Sequence, residues 1–138
     1  MKPFRHRFRV PFHELDPGGV LFHAHLFAHA HEAYEMLMRE IGFGLAGLLE
    51  RGKLAIPLVH AHADYHRPLR LDDLIEIQLQ VLEIGRTSFR LEYRFLHQEQ
   101  CHATAATTHV AIDRCSSQPV PLPAGLVTGL QAYLSQES

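Results

Sequence analysis

The residues best placed for chemistry are Asp16 and the two glycines behind it. In Asp16-Pro17-Gly18-Gly19 a carboxylate sits in a glycine-rich turn a few residues ahead of a helix start. A helix N-terminus presents unpaired N–H groups and a partial positive charge. It therefore stabilises a nearby carboxylate, and equally an oxyanion developing on a bound carbonyl. Gly18 and Gly19 let a substrate approach the backbone closely. By spacing alone, the same four residues also make an ordinary Asp-Pro-Gly turn. Histidine is the other abundant chemical group, with 12 residues. His25 and His29 stand at i, i+4 on one helix face, and His60 and His62 at i, i+2 on one strand face. Both spacings suit zinc, which would make a histidine-rich metal-binding protein. No H-E-x-x-H occurs and neither cysteine joins the pattern, so the chain is read as having no metal site. Ser88, in Gly-Arg-Thr-Ser-Phe, lacks the G-x-S-x-G elbow of a serine hydrolase nucleophile.

These groups need elements to hold them. Phe4, His6, Phe8, Val10 and Phe12 alternate with polar neighbours, which predicts a strand, and Pro11 marks an edge or an end. From His25 to Gly42 the apolar positions Leu26, Ala30, Ala33, Leu37 and Ile41 recur at three and four, which predicts a long helix with that stripe in the core and Gly42 as its stop. Gly44 to Glu50 adds a short helical turn. Ile56 to His66 reads as a strand, entered at Pro57 and closed by Pro68. Ile75, Ile77, Leu79 and Val81, then Phe89, Leu91, Tyr93 and Phe95, alternate with polar residues on either side of a Gly85-Arg86-Thr87 turn. Ala103 to Ile112 is another β-like run. Short connections make these last three an antiparallel meander. Pro119 to Pro123 leads into a short helix around Ala124 to Leu134. One amphipathic helix against a long antiparallel sheet is a two-layer α+β domain. Its uncovered sheet face or edge calls for a second copy.

The chain has 138 residues, which fits one domain able to bury a real core. Apolar residues make up 46% and charged residues 20%, the balance of a globular protein. A formal net charge of -2 argues against a phosphate-tracking nucleic-acid binder. Cys101 and Cys115 are too few for a disulfide framework and are expected as free thiols in a reducing compartment. The charged N-terminus lacks the apolar core of a signal peptide, and no apolar run approaches a membrane span. A cytoplasmic location is expected.

Four blocks carry a resemblance. DPGGVLFHAHLFAHAHEAYEMLMREIG is similar to the signature of the 4-hydroxybenzoyl-CoA thioesterase family of hotdog-fold proteins, a D-x-x-G-hydrophobic turn followed by an aromatic pair or an aromatic-His pair and the long helix. AIPLVHAHADYHRPLRLDDLIEIQLQV resembles the family's next strand, Arg-Pro corner and following strand. GRTSFRLEYRF and ATTHVAID continue in register, so the resemblance runs from about residue 4 to 123. HEAYE, AIPLVHA and THVAID most resemble the 1,4-dihydroxy-2-naphthoyl-CoA thioesterases of the phylloquinone pathway. The chain departs from many relatives in having Glu14 at the first position of an acidic pair, and His31 and Tyr34 where bacterial members carry Glu and Arg.

The resemblance implies a hotdog fold, a long central helix on a five-stranded, largely antiparallel sheet. It also implies an acyl-CoA thioesterase acting as a homodimer or homotetramer, its site at the dimer interface, on an aromatic acyl-CoA. 1,4-Dihydroxy-2-naphthoyl-CoA is the first expectation. 4-Hydroxybenzoyl-CoA, a short-chain acyl-CoA, or a non-catalytic acyl-binding module on the same fold are the alternatives. Asp16 matches the catalytic aspartate, either attacking the thioester carbonyl to give an anhydride or acting as general base on water. His23 matches the position whose backbone N–H polarises that carbonyl. Glu35, on the long helix, is the rival carboxylate. Gly19, His60, Glu35 and Ser88 are the expected substrate contacts, and Arg67, Arg70 and Arg86 the expected partners of the CoA phosphates. No cofactor is implied, since CoA is part of the substrate.

Overall fold

The computed structural model describes residues 2–44 and 52–136. Strand β1 (Phe4–Arg9) turns Phe4, His6 and Phe8 inward and Arg5, Arg7 and Arg9 to solvent. Pro11 follows, and a single 3-10 turn, Phe12–Glu14, carries the chain away from the sheet. Helix α1 (His23–Glu40) comes next and buries Leu26, Ala30, Ala33, Tyr34, Leu37 and Met38 along one stripe, with Ile41 half-buried just beyond. Gly42 ends it at φ +90°, a left-handed position that favours glycine.

The remaining elements are β2 (Leu54–Ala55), β3 (Leu58–Tyr65), β4 (Leu74–Ile84), β5 (Ser88–His97), β6 (Gln100–Val110), β7 (Ile112–Asp113) and helix α2 (Ala124–Gln131). The expected turn at Gly44 to Glu50 lies, apart from Gly44, outside the described residues. β2 and β7 pair as a small ribbon that the sequence reading does not contain, because two-residue strands leave no periodicity.

The main sheet has the order β1-β4-β5-β6-β3, with every pair antiparallel. The meander β4-β5-β6 is as the short connections predict. β1 and β3, which flank α1 in sequence, land on opposite edges. The inward residues of the three central strands, among them Ile75, Ile77, Leu79, Leu91, Phe95 and Ala103, form the core floor on which the α1 stripe rests. α2 closes one end, and Gly129 lets it lie on the end of α1: a Cβ there would stand 2.7 Å from Ile41 Cβ.

β3 is the exception to this burial. Within the single chain only Ala63 among its eight residues is even half-buried, and Leu58, Val59 and Tyr65 are about half exposed. An edge strand with apolar side chains and free N–H and C=O groups is a pairing surface.

Candidate active site

The turn predicted at Asp16 is built by the residues around it. Asp16 N–H donates to the Val20 carbonyl (2.8 Å) and Gly19 N–H to the Asp16 carbonyl (2.9 Å). Gly19 sits at φ +81°, which an L side chain rarely adopts. Asp16 Oδ1 accepts from Gly18 N–H (2.8 Å) and Val20 N–H (3.2 Å). Oδ2 has no partner among the described residues, so one oxygen anchors the carboxylate and the other remains for chemistry.

The loop is fastened at both ends. Phe22 N–H donates to the Glu14 carbonyl (2.9 Å), and Leu15 bridges Leu21. The Glu14 side chain meets His29 Nε2 of α1 at 2.6 Å, with both side chains 13% exposed, and Phe8 stacks on the His29 ring at 3.7 Å. The sequence reading paired His29 with His25 as a possible metal edge. In the structure His29 faces Glu14 instead, and no group of three or more His, Cys, Asp or Glu among the described residues is placed to hold a metal ion.

Helix α1 begins without a side-chain cap: its N-cap is Phe22, and its first turn has no acidic residue. His25 and Leu26 N–H turn back to the Phe22 carbonyl at 2.9 and 3.3 Å. The N–H groups of His23 and Ala24 are left without an acceptor among the described residues, the orphan donors of a helix start.

Asp16 and His23 line one cleft of about 430 Å³, with Leu21 and Phe22 on their side and Tyr65, His66, Arg67 and Leu69 on the other. Leu21 N–H donates to the Leu69 carbonyl (2.8 Å), joining the two walls. His66 and Arg67 are held by N–H bonds to the His102 carbonyl (2.9 and 3.0 Å). The first of these orphan donors, His23, thus shares one depression with the Asp16 carboxylate and Arg67. That combination can bind an anion and take up negative charge on a carbonyl oxygen.

The other expected residues are spread. Arg70 lies just behind the cleft, its backbone bridging Val20 and its N–H on Asp73 Oδ2. Glu35 sits twelve positions after His23, roughly 18 Å along the helix, where it meets His31 at 3.4 Å. His60 is exposed on β3 opposite Thr108, with its ring 5.7 Å from that of His62. Ser88 opens β5 opposite Val110, next to the turn that holds Arg86. No residue of β5 lines the cleft.

A second depression of about 480 Å³ follows the first along α1 and β3. Ala24, Phe27, Ala28 and His31 form one wall, Leu58 and Ala61 of β3 the other, with Tyr93 and Thr107 also lining it. The cleft adjoins the start of α1 and the end of β3, and this groove adjoins the next two turns of α1 and the start of β3. Beneath the groove, Tyr93 Oη lies 3.0 Å from Thr107 Oγ1, and Thr107 Oγ1 2.9 Å from His109 Nε2. Neither the groove nor this chain is in the sequence reading. The available signal was polar Thr107 and His109 in the inward phase of β6, alongside Ala103 and Ala105.

The chain is similar to the 1,4-dihydroxy-2-naphthoyl-CoA hydrolase of Synechococcus elongatus, 39% identical over 88% of this chain and 90% of the relative. The corresponding hydrolase of Microcystis aeruginosa is 33% identical over 88% of each. Among solved structures, a 1,4-dihydroxy-2-naphthoyl-CoA thioesterase from Synechocystis superposes with a TM-score of 0.87 at 28% identity, covering 93% of this chain and 95% of that one. The sequence profile of the thioesterase-like superfamily matches residues 10–130. That match spans every element after β1 but for the last residue of α2, and the chain belongs to the thioesterase-like superfamily and has its hotdog fold.

Proposed function

We propose that the protein hydrolyses an aromatic acyl-CoA, 1,4-dihydroxy-2-naphthoyl-CoA, to the free acid and CoA, a step of phylloquinone and menaquinone biosynthesis. Within the superfamily we group it with the 4-hydroxybenzoyl-CoA thioesterases. The observation that carries the reading is the meeting of Asp16 with the uncapped start of α1 in one cleft. The relatives named above support the choice of thioester.

In the proposed reaction the thioester carbonyl oxygen points at the His23 N–H. The carbonyl carbon is attacked by Asp16 Oδ2, or by a water that Asp16 deprotonates. Negative charge moves to the carbonyl oxygen, where the helix start receives it. The C–S bond then breaks and CoA leaves as thiolate and takes a proton. If Asp16 attacks directly, water hydrolyses the anhydride and regenerates the carboxylate. No cofactor enters this scheme. Arg67, on the opposite wall, stands where a CoA phosphate would pass. The acyl group extends into the groove along α1. We further take the working unit to be a homodimer joined through β3, or a homotetramer made of two such dimers.

The test is thiol release from 1,4-dihydroxy-2-naphthoyl-CoA, 4-hydroxybenzoyl-CoA, benzoyl-CoA and a short aliphatic acyl-CoA by wild type and Asp16→Asn. Asparagine keeps the shape and removes the charge. We expect the naphthoyl ester to be preferred and kcat to fall at least about a hundredfold in a folded variant. Near-normal activity of the variant would move suspicion to Glu35. Inactivity of the wild type on the whole panel would favour an acyl-binding module.

A further inference from the structure

A buried polar chain beside an apolar groove costs stability unless each member has a partner. Tyr93 is 1% exposed, Thr107 5% and His109 1%, all under α1. The chain ends inside the core at His109 Nδ1, which has no hydrogen-bond partner among the described residues. Its ring lies against two aromatic neighbours, Tyr34 stacked at 4.3 Å and Phe89 at 5.1 Å.

A buried donor left unmade is rarer in proteins than an under-used acceptor. Nδ1 is therefore the bare lone pair and Nε2 carries the hydrogen. Burial, with the charge of His31 adding to it, pulls the His109 pKa down to about 4 and keeps the ring neutral at ordinary pH. Nε2–H donates to Thr107 Oγ1. The Thr107 hydroxyl can then turn its own proton to Tyr93 Oη, its other neighbour. The Tyr93 O–H is left at the outer end of the chain, as a donor beside the groove that Tyr93 lines.

We propose that Tyr93, oriented by Thr107 and His109, donates a hydrogen bond to an oxygen on the ring of the acyl group in the α1–β3 groove, and so selects hydroxylated over plain aromatic acyl-CoA. This rests on the thioesterase reading above. Tyr93 is a specificity residue. Thr107 and His109 are positioning residues that act through it.

The experiment compares kcat/KM for 1,4-dihydroxy-2-naphthoyl-CoA and 2-naphthoyl-CoA in wild type, Tyr93→Phe and Thr107→Val. Ring hydroxyls alter the intrinsic reactivity of the thioester, so the quantity read is the change in the ratio between wild type and variant. One neutral hydrogen bond predicts that Tyr93→Phe shrinks the ratio about tenfold. Thr107→Val, which leaves Tyr93 in place but frees its proton to turn inward, should shrink it by a smaller factor. Circular dichroism and Tm confirm that each variant is folded. A ratio unchanged in both variants, or equal losses on both esters, overturns the assignment while leaving the thioesterase reading intact. If the wild type hydrolyses neither ester, both fall together.

Discussion

At the scale of single residues, the cleft depends on how Asp16 is held. Its turn is made by backbone bonds and one left-handed glycine, but its distance from α1 is governed by Glu14. That residue grips the helix twice, through its carbonyl on Phe22 N–H and its carboxylate on His29. Removing the second grip loosens the loop two residues before Asp16. Misplacement of that size costs catalysis more than binding. Glu14→Ala should therefore lower kcat about tenfold with a smaller change in KM, while Glu14→Gln, which still accepts from His29, should recover most of the loss. Equal kcat in all three proteins would show that the pair only supports the fold. Asp16 itself was legible in the sequence, because a carboxylate in a glycine turn before a periodic helix is a local pattern. The Glu14–His29 pair was not, since contacts between residues fifteen apart follow from where the helix lies.

At the scale of elements, alternation reveals which face of a strand is inward but not which strand lies beside it. β4, β5 and β6 were readable as neighbours because short turns join them. β3 was readable as a strand, yet its place beyond β6 follows from pairing across some forty residues, as Tyr65 with Ala103 shows. β6 also carries a polar burden that its small, β-branched sequence conceals. His109 has a folded-state pKa of about 4, below the unfolded value of about 6.5. Between these values the unfolded chain binds more protons, so stability rises with pH across the window. The contribution is complete above about pH 6.5 and is lost as pH falls toward 4, amounting to roughly 3 kcal/mol. Tm should drop by several degrees across that window. His109→Asn, which does not titrate, should flatten the slope, and parallel slopes would assign the acid sensitivity to other groups.

At the scale of the whole molecule, the two edge strands of the sheet differ in what they present. β1 carries Arg5, Arg7 and Arg9 on its solvent face, charges that discourage pairing along that edge. β3 offers Val59 and Leu58 instead. The proposed assembly predicts two or four times the chain mass by light scattering at micromolar concentration, and Val59→Lys should shift it toward the monomer. A monomeric wild type would sink the proposal. The bare ladder of β3 also bears on how the protein is made. A newly released chain exposes a template that any other extended segment can extend, and the rate of such mispairing rises with how crowded similar chains are. Slow synthesis lets each copy meet a folded mate. Strong overproduction should divert material into insoluble deposits, and a charged residue on β3 should raise the soluble yield even as it weakens assembly.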